Sequence, residues 1–246
     1  MTLKTLFAVV LAGACMQTGF AQDEQADRMR TALAAPARPA ESKERDADRK
    51  PIDTIQFLQI ETGDKVIEMV AAFGWFTEVL SAAVGPEGRV YASNPPGMVP
   101  ADVEKALHDR LGNVEAVHTP LAATSIDGTA DAAVVILNLH DIYNGFDGQA
   151  GGEATAVDFL KTIHAELKPG GVLGIIDHVG IAGQDNAALH RMPTQQARDA
   201  LTKAGFVIEA ESPLFAAATD DHTKGVFDPS LRGKTDQFML RARKPQ

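Results

Sequence analysis

Hydrophobic and polar positions change period repeatedly along this chain, and the changes set out a succession of strands and helices. Val66 to Val70 is a short apolar run broken only by Glu68, fit for a strand buried in a parallel sheet. Phe73, Phe76, Val79, Leu80, Ala83 and Val84 then recur at helical spacing. Gly85 stops that helix, Pro86-Glu87-Gly88 turns the chain, and Arg89 to Ser93 is a second apolar run ending in Asn94-Pro95-Pro96. Pro100 to Leu111 predicts a helix with Val103, Leu107 and Leu111 inward, and Val114 to His118 a third strand. Asp131 to Leu139 is nearly continuous apolar and belongs at the centre of the sheet. Ala154 to Leu167 reads as a helix; Gly170 and Gly171 then let the chain reverse into a strand over Val172 to His178. Thr194 to Ala204 reads as a helix, and Phe206 to Ala210 and Asp236 to Arg243 as strands. Upstream, Pro51 opens a short amphipathic helix with Ile52, Ile55, Phe57 and Leu58 on one side.

Strands alternating with helices in this way build an open α/β sheet, where ligands bind beyond the carboxyl ends of the strands. The first residues to suspect are therefore Glu68, Gly74 and Asn94. After the fourth strand come Asn138, His140, Asp141, Tyr143 and Asn144, and after the fifth come Asp177 and His178. Late loops add His190, Arg191, Asp221, His222 and Lys224. Histidine titrates near neutral pH and can take a proton from a nucleophile. His140 is the first choice of base, with Asp141 or Asp177 orienting an imidazole. His140, Asp141, Asp177, His178 and His222 are also ligand types for a divalent ion, but no two histidines have compact HxxxH or HxH spacing, so no metal is assigned. No serine stands in the Gly-x-Ser-x-Gly setting of a hydrolase.

The segments Asp131 to Asp141 (DAAVVILNLHD), Leu167 to His178 (LKPGGVLGIIDH) and Ala204-Gly205-Phe206, with the β-α-β pattern over 65–96, resemble class I S-adenosylmethionine-dependent methyltransferases. His140-Asp141, Asp177-His178 and the segments 221–224 and 233–238 resemble most closely the secreted methyltransferase-like proteins. The resemblance implies a three-layer Rossmann-like α/β fold over 51–246, with a seven-stranded, mostly parallel sheet and an antiparallel last strand. It implies S-adenosylmethionine as cofactor and a small-molecule substrate. Glu68, Gly74, Asn94 and Asn138 would face the cofactor, and His140, Asp141 and His178 would be catalytic. Val70 and Ala72 stand where that family usually has glycine, Asn94 where it has a carboxylate, and no carboxylate follows the third strand. In the family a helix before the first strand often closes over the site. Arg45, Asp46 and Arg49 would then face a ligand; otherwise they form a solvated face.

Met1 to Ala21 has the form of a secretory leader: Lys4, an apolar core from Leu6 to Ala14, and small residues ahead of a cleavage point after Ala21. This implies a secreted or periplasmic protein; a lipoprotein through Cys15 is disfavoured because Ala12 stands where a lipobox has leucine. Cys15 is the single cysteine, so cleavage leaves no thiol for disulfide, zinc or iron–sulfur chemistry. Residues 22–50 read as a charged lead-in, with helical character from Glu41. A net charge of -10 argues against nucleic acid or an anionic membrane as partner, and the leader is too short for a membrane span. Three readings remain: methyl transfer, a non-catalytic exported ligand-binding protein on the same fold, and metal-assisted chemistry at the His/Asp cluster.

Overall fold

The computed structural model describes residues 21–120, 126, 128–145 and 150–246. The leader reading, Cys15 included, lies outside the described residues except for Ala21, and so does much of the glycine-rich loop 146–152. In chain order the elements are helix α1 (21–33), α2 (Ala40–Arg49), α3 (Pro51–Leu58), β1 (Lys65–Met69), α4 (Trp75–Val84), β2 (Arg89–Asn94), α5 (Ala101–Arg110) and β3 (Val114–His118). Then follow β4 (Ala130–Ile136), α6 (Leu139–Asn144), α7 (Glu153–Glu166), β5 (Leu167–His178), α8 (Asn186–Leu189), α9 (Thr194–Lys203), β6 (Val207–Ser212) and β7 (Gln237–Arg243). No helix among the described residues is long and apolar enough to cross a membrane.

The seven strands form one sheet in the order β3-β2-β1-β4-β5-β7-β6. β3, β2, β1, β4 and β5 pair in parallel, whereas β7 runs antiparallel to both β5 and β6. The three-layer, mostly parallel arrangement expected from the sequence is therefore present. Strand order reverses between β1 and β4, and that reversal opens a crevice at their carboxyl ends. Because side chains alternate along a strand, Ile67 and Met69 enter the core under α7 and α9, while Val66 enters the core under α3 and α4. Glu68 shares a face with Val66, which places it under α4.

Helix α4 is apolar on nearly every side, and all its residues but Ala82 are buried. One sheet face cannot cover such a helix. α1 supplies the second cover: Met29 and Leu33 join this core, and the Gln25 side chain donates to Ile60 O and Ala83 O. Glu78, the one charged residue of α4, is buried between Arg38 and Arg110, and Arg38 also clamps Asp46. Residues 22–50 are thus mostly helical and packed, not a linker; the reason is the uncovered face of α4. Two further expectations shift. Phe73 precedes the helix and is 72% exposed, outside the apolar stripe. β5 begins at Leu167, which pairs with Ala130, and the chain bulges through 168–171, with Gly170 at φ 79°, before Val172 pairs with Ala132.

Candidate functional site

The turn after β1 runs from Val70 to Gly74. Val70 and Ala72 hold φ of 57° and 49°, the left-handed region that glycine adopts freely and a β-branched residue avoids. Local bonds hold the turn: Ala71 N donates to Ser93 O, and Ala72 N donates to Asn94 Oδ1 at 2.9 Å. Asn138 Nδ2, just beyond β4, donates to Ile136 O of its own strand at 2.6 Å and across to Val70 O at 3.3 Å. Gly74, at φ 84°, caps α4, and a Cβ there would lie 2.6 Å from Leu107. This glycine is demanded both by its conformation and by the close approach of α5.

Beneath the turn, Glu68 is 3% exposed and accepts from Thr77 Oγ1 at 2.5 Å. Burial pushes its carboxyl up to about 8, only partly offset by that hydroxyl. Strand alternation turns Glu68 under α4, where its carboxyl is bonded to Thr77. An acid raised above its ordinary 4.5 keeps its proton in the folded state while the unfolded chain has lost it. Stability therefore falls as pH rises from about 4.5 to about 8. Glu68→Gln removes that decline, a difference that urea midpoints at pH 5 and pH 8 will register.

Beyond β4 and β5 stands a chain of alternating carboxylates and imidazoles. Asp177 is fully buried and accepts from His140 N at 2.8 Å, His140 Nδ1 at 2.6 Å and His178 N at 2.7 Å. His140 Nε2 lies 3.2 Å from Asp141 Oδ1, and the same oxygen accepts from His190 Nδ1 at 3.1 Å. Burial opposes charge on His140, but Asp177 and Asp141 on its two nitrogens outweigh it and raise it to about 10. Asp141 is itself held low, because its two imidazole neighbours outweigh its burial. The two carboxylates thus favour the charged form of His140, which weakens it as a base. His178 lies 5.7 Å from His140, ring to ring, and its Nδ1 bonds the Thr235 hydroxyl at 2.8 Å. Burial drives His178 down to about 3 against the pull of Asp177, with His140 and Arg49 adding to the depression, so it is neutral. His190 is the outermost ring, with its side chain 40% exposed and Phe227 edge-on at 4.9 Å.

No protein-family model and no curated protein matches the sequence. Solved structures do match. A SAM-dependent methyltransferase from Aquifex aeolicus superposes with a TM-score of 0.58 at 20% identity, over 78% of this chain and 88% of that one. The chain has the class I methyltransferase fold. The [4+2]-cyclase SpnF shares this methyltransferase fold at TM-score 0.58 and 21% identity, over 81% of each chain. So does a possible exported protein from Bordetella parapertussis, at 0.51 and 14%, over 82% of this chain and 68% of that one.

On this methyltransferase fold the structure gathers His140, Asp141, Asp177, His178 and His190, and leaves other expected residues aside. His222 pairs with Asp236 at 2.9 Å, Asp221 bonds Thr223, and Lys224 bonds Ser230. Arg191 is a fully buried anchor. In α2, Asp46 is committed to Arg38, Arg45 lies over the Trp75 ring, and Arg49 is near enough to His178 to depress it. Nothing in the sequence separates His190 from the other late-loop candidates; its place is set by the buried Arg191 beside it. A cavity of about 560 Å³ between α1, α4 and the end of α5 is lined by none of these groups. The cavity at the Val70–Gly74 turn, lined by Phe73, Asn94, Leu107 and His108 among others, holds only about 10 Å³.

Proposed function

We propose that the protein transfers a methyl group from S-adenosylmethionine to a small-molecule hydroxyl or amine. The observation that carries this reading is the turn after β1. Val70 and Ala72 follow the left-handed path of a glycine-rich cofactor turn without the glycines, at a cost of roughly 1–2 kcal/mol each. Strain of this kind is kept where the backbone has work to do. The residues that would hold the donor are the Val70–Gly74 backbone, Asn94 and Asn138. When bound, the donor supplies an electrophilic methyl group on a sulfonium. The chain supplies alignment and proton removal. Asp141 Oδ1 accepts from His190 Nδ1, which turns the ring's outer nitrogen, Nε2, toward the substrate as the candidate proton acceptor. His140, fixed as a cation by Asp177, holds Asp141 in place.

Space at the turn sets a condition. About 10 Å³ is too little for a nucleoside, being roughly the space that a single water requires. The donor enters only as Leu107 draws back from Gly74. Leu107→Ala should therefore bind S-adenosylhomocysteine roughly tenfold more tightly than the native chain, by raising the share of open molecules. Calorimetric titration of both proteins tests this, and equal or weaker binding by the variant contradicts it. The closed turn also favours a second reading, a ligand-binding protein without turnover that uses the half-exposed His190 and the groups behind it. That reading predicts no donor binding by either protein. We propose, too, that the protein is exported, on the leader pattern of 1–21; a mature chain beginning elsewhere than Gln22, by mass spectrometry, would contradict this.

A further inference from the structure

We infer that His140 Nε2, Asp141 and His190 Nδ1 form a divalent-metal site, with Asp177 as the outer carboxylate that orients His140. The three ligand atoms lie within 4.8 Å of one another. Asp141 Oδ1 stands 3.2 Å from His140 Nε2 and 3.1 Å from His190 Nδ1, so both rings turn a nitrogen toward one carboxylate. Two imidazoles and one carboxylate, with further positions open, suit a borderline first-row ion such as zinc or cobalt, and suit magnesium or calcium poorly.

Two further features favour an ion here. Asp177 Oδ1 accepts from His140 Nδ1 at 2.6 Å, the carboxylate–histidine arrangement that fixes a ligating tautomer. Asp177 also accepts from the backbone N–H groups of His140 and His178, so it is fixed in turn. His190 is preorganised as a ligand: its backbone is left-handed at φ 52°, between α8 and the buried Arg191. The set differs from the one the sequence suggested. His222 is spent on Asp236, and His178 bonds Thr235.

The inference rests on the reading of this cluster as the substrate site and recasts its chemistry: with an ion bound, His140 and His190 serve as ligands, and the ion takes over from His190 Nε2 the activation of the acceptor. An ion with open positions would hold an acceptor hydroxyl and lower its pKa. It is tested without the donor, so its failure is separate from failure of donor binding. Chelator-stripped full chain is titrated with Co²⁺ and followed by visible d–d absorption, with Zn²⁺ then added in competition. The expected result is saturation at one ion per chain, displacement by Zn²⁺ but not by Mg²⁺, and loss of the bands in His190→Asn. Asparagine tolerates the left-handed backbone, so that variant keeps the fold. His222→Ala should bind as the native chain does, and Asp177→Asn roughly 10–100-fold more weakly. No stoichiometric uptake by the native chain, or bands that persist in His190→Asn, would overturn the site.

Discussion

Arg191→Ala is expected to lower folding stability by about 3–5 kcal/mol. Arg191 is fully buried, and its guanidinium makes four bonds: to Lys224 O at 3.0 Å, to Val179 O at 2.9 Å, and to the two Asp220 oxygens at 3.0 Å and 2.9 Å. Truncation removes the cation and leaves the Asp220 carboxylate buried. Two backbone donors, Asp236 N and His222 N, would still reach Asp220, but neither carries a charge. The loop of 220–236 and the segment after β5 are tied together through this arginine. Its loss therefore loosens His190, one residue away. Urea unfolding measures the cost. The double variant Arg191→Met, Asp220→Leu should recover a good part of it, because removing both charges leaves no uncompensated ion. A single variant within 1 kcal/mol of native would contradict this account of the anchor.

Asp177→Asn is the second large effect, about 3 kcal/mol or more near pH 7. Asp177 is fully buried and accepts three bonds, two of them from His140. Asparagine keeps an oxygen for one donor but loses the charge that holds His140 as a cation. The pH dependence carries the signature. His140 is raised from 6.5 to about 10 in the folded state, so its stabilisation is full below pH 6.5 and is lost as pH rises toward 10. The native protein should lose stability over that window, and the variant should lose much less. Urea midpoints from pH 6 to pH 9.5 on both proteins make the comparison, and parallel slopes would contradict the proton assignment.

Much of the fold is legible because burial leaves a direct mark on periodicity. The run through Val134 and Val135, buried on both faces, could only be a central strand, and the seven-stranded order follows the expected α/β plan. The packing of residues 22–50 depends on a second neighbour. α4 carries apolar residues around its whole circumference, which demands cover beyond the sheet, and Gln25, Met29 and Leu33 recur at helical spacing to provide it. Charge in 22–50 masked that stripe.

The site was legible as a set of residues and not as a set of roles. Strand-end logic found His140, Asp141, Asp177 and His178, and the structure brings them together. It could not say that His140 would sit between two carboxylates, which favour its charged form and weaken it as a base. Nor could it tell that Asn94 would close on Ala72 N. The burial of Glu68 is legible in the strand period: alternation from Val66 turns it under α4, onto Thr77.

The most direct measurement of the central claim is titration of the chain from Gln22 with S-adenosylmethionine and S-adenosylhomocysteine, read by calorimetry and by Trp75 emission. Trp75 is the single tryptophan; it begins α4 beside the turn, and its Nε1 donates to Ser42 O at 2.9 Å. The account predicts saturable binding of both compounds with a change in Trp75 emission, tightened by Leu107→Ala. Absence of binding by the native chain and by Leu107→Ala, with and without added Zn²⁺, would contradict methyl transfer and leave the ligand-binding reading in its place.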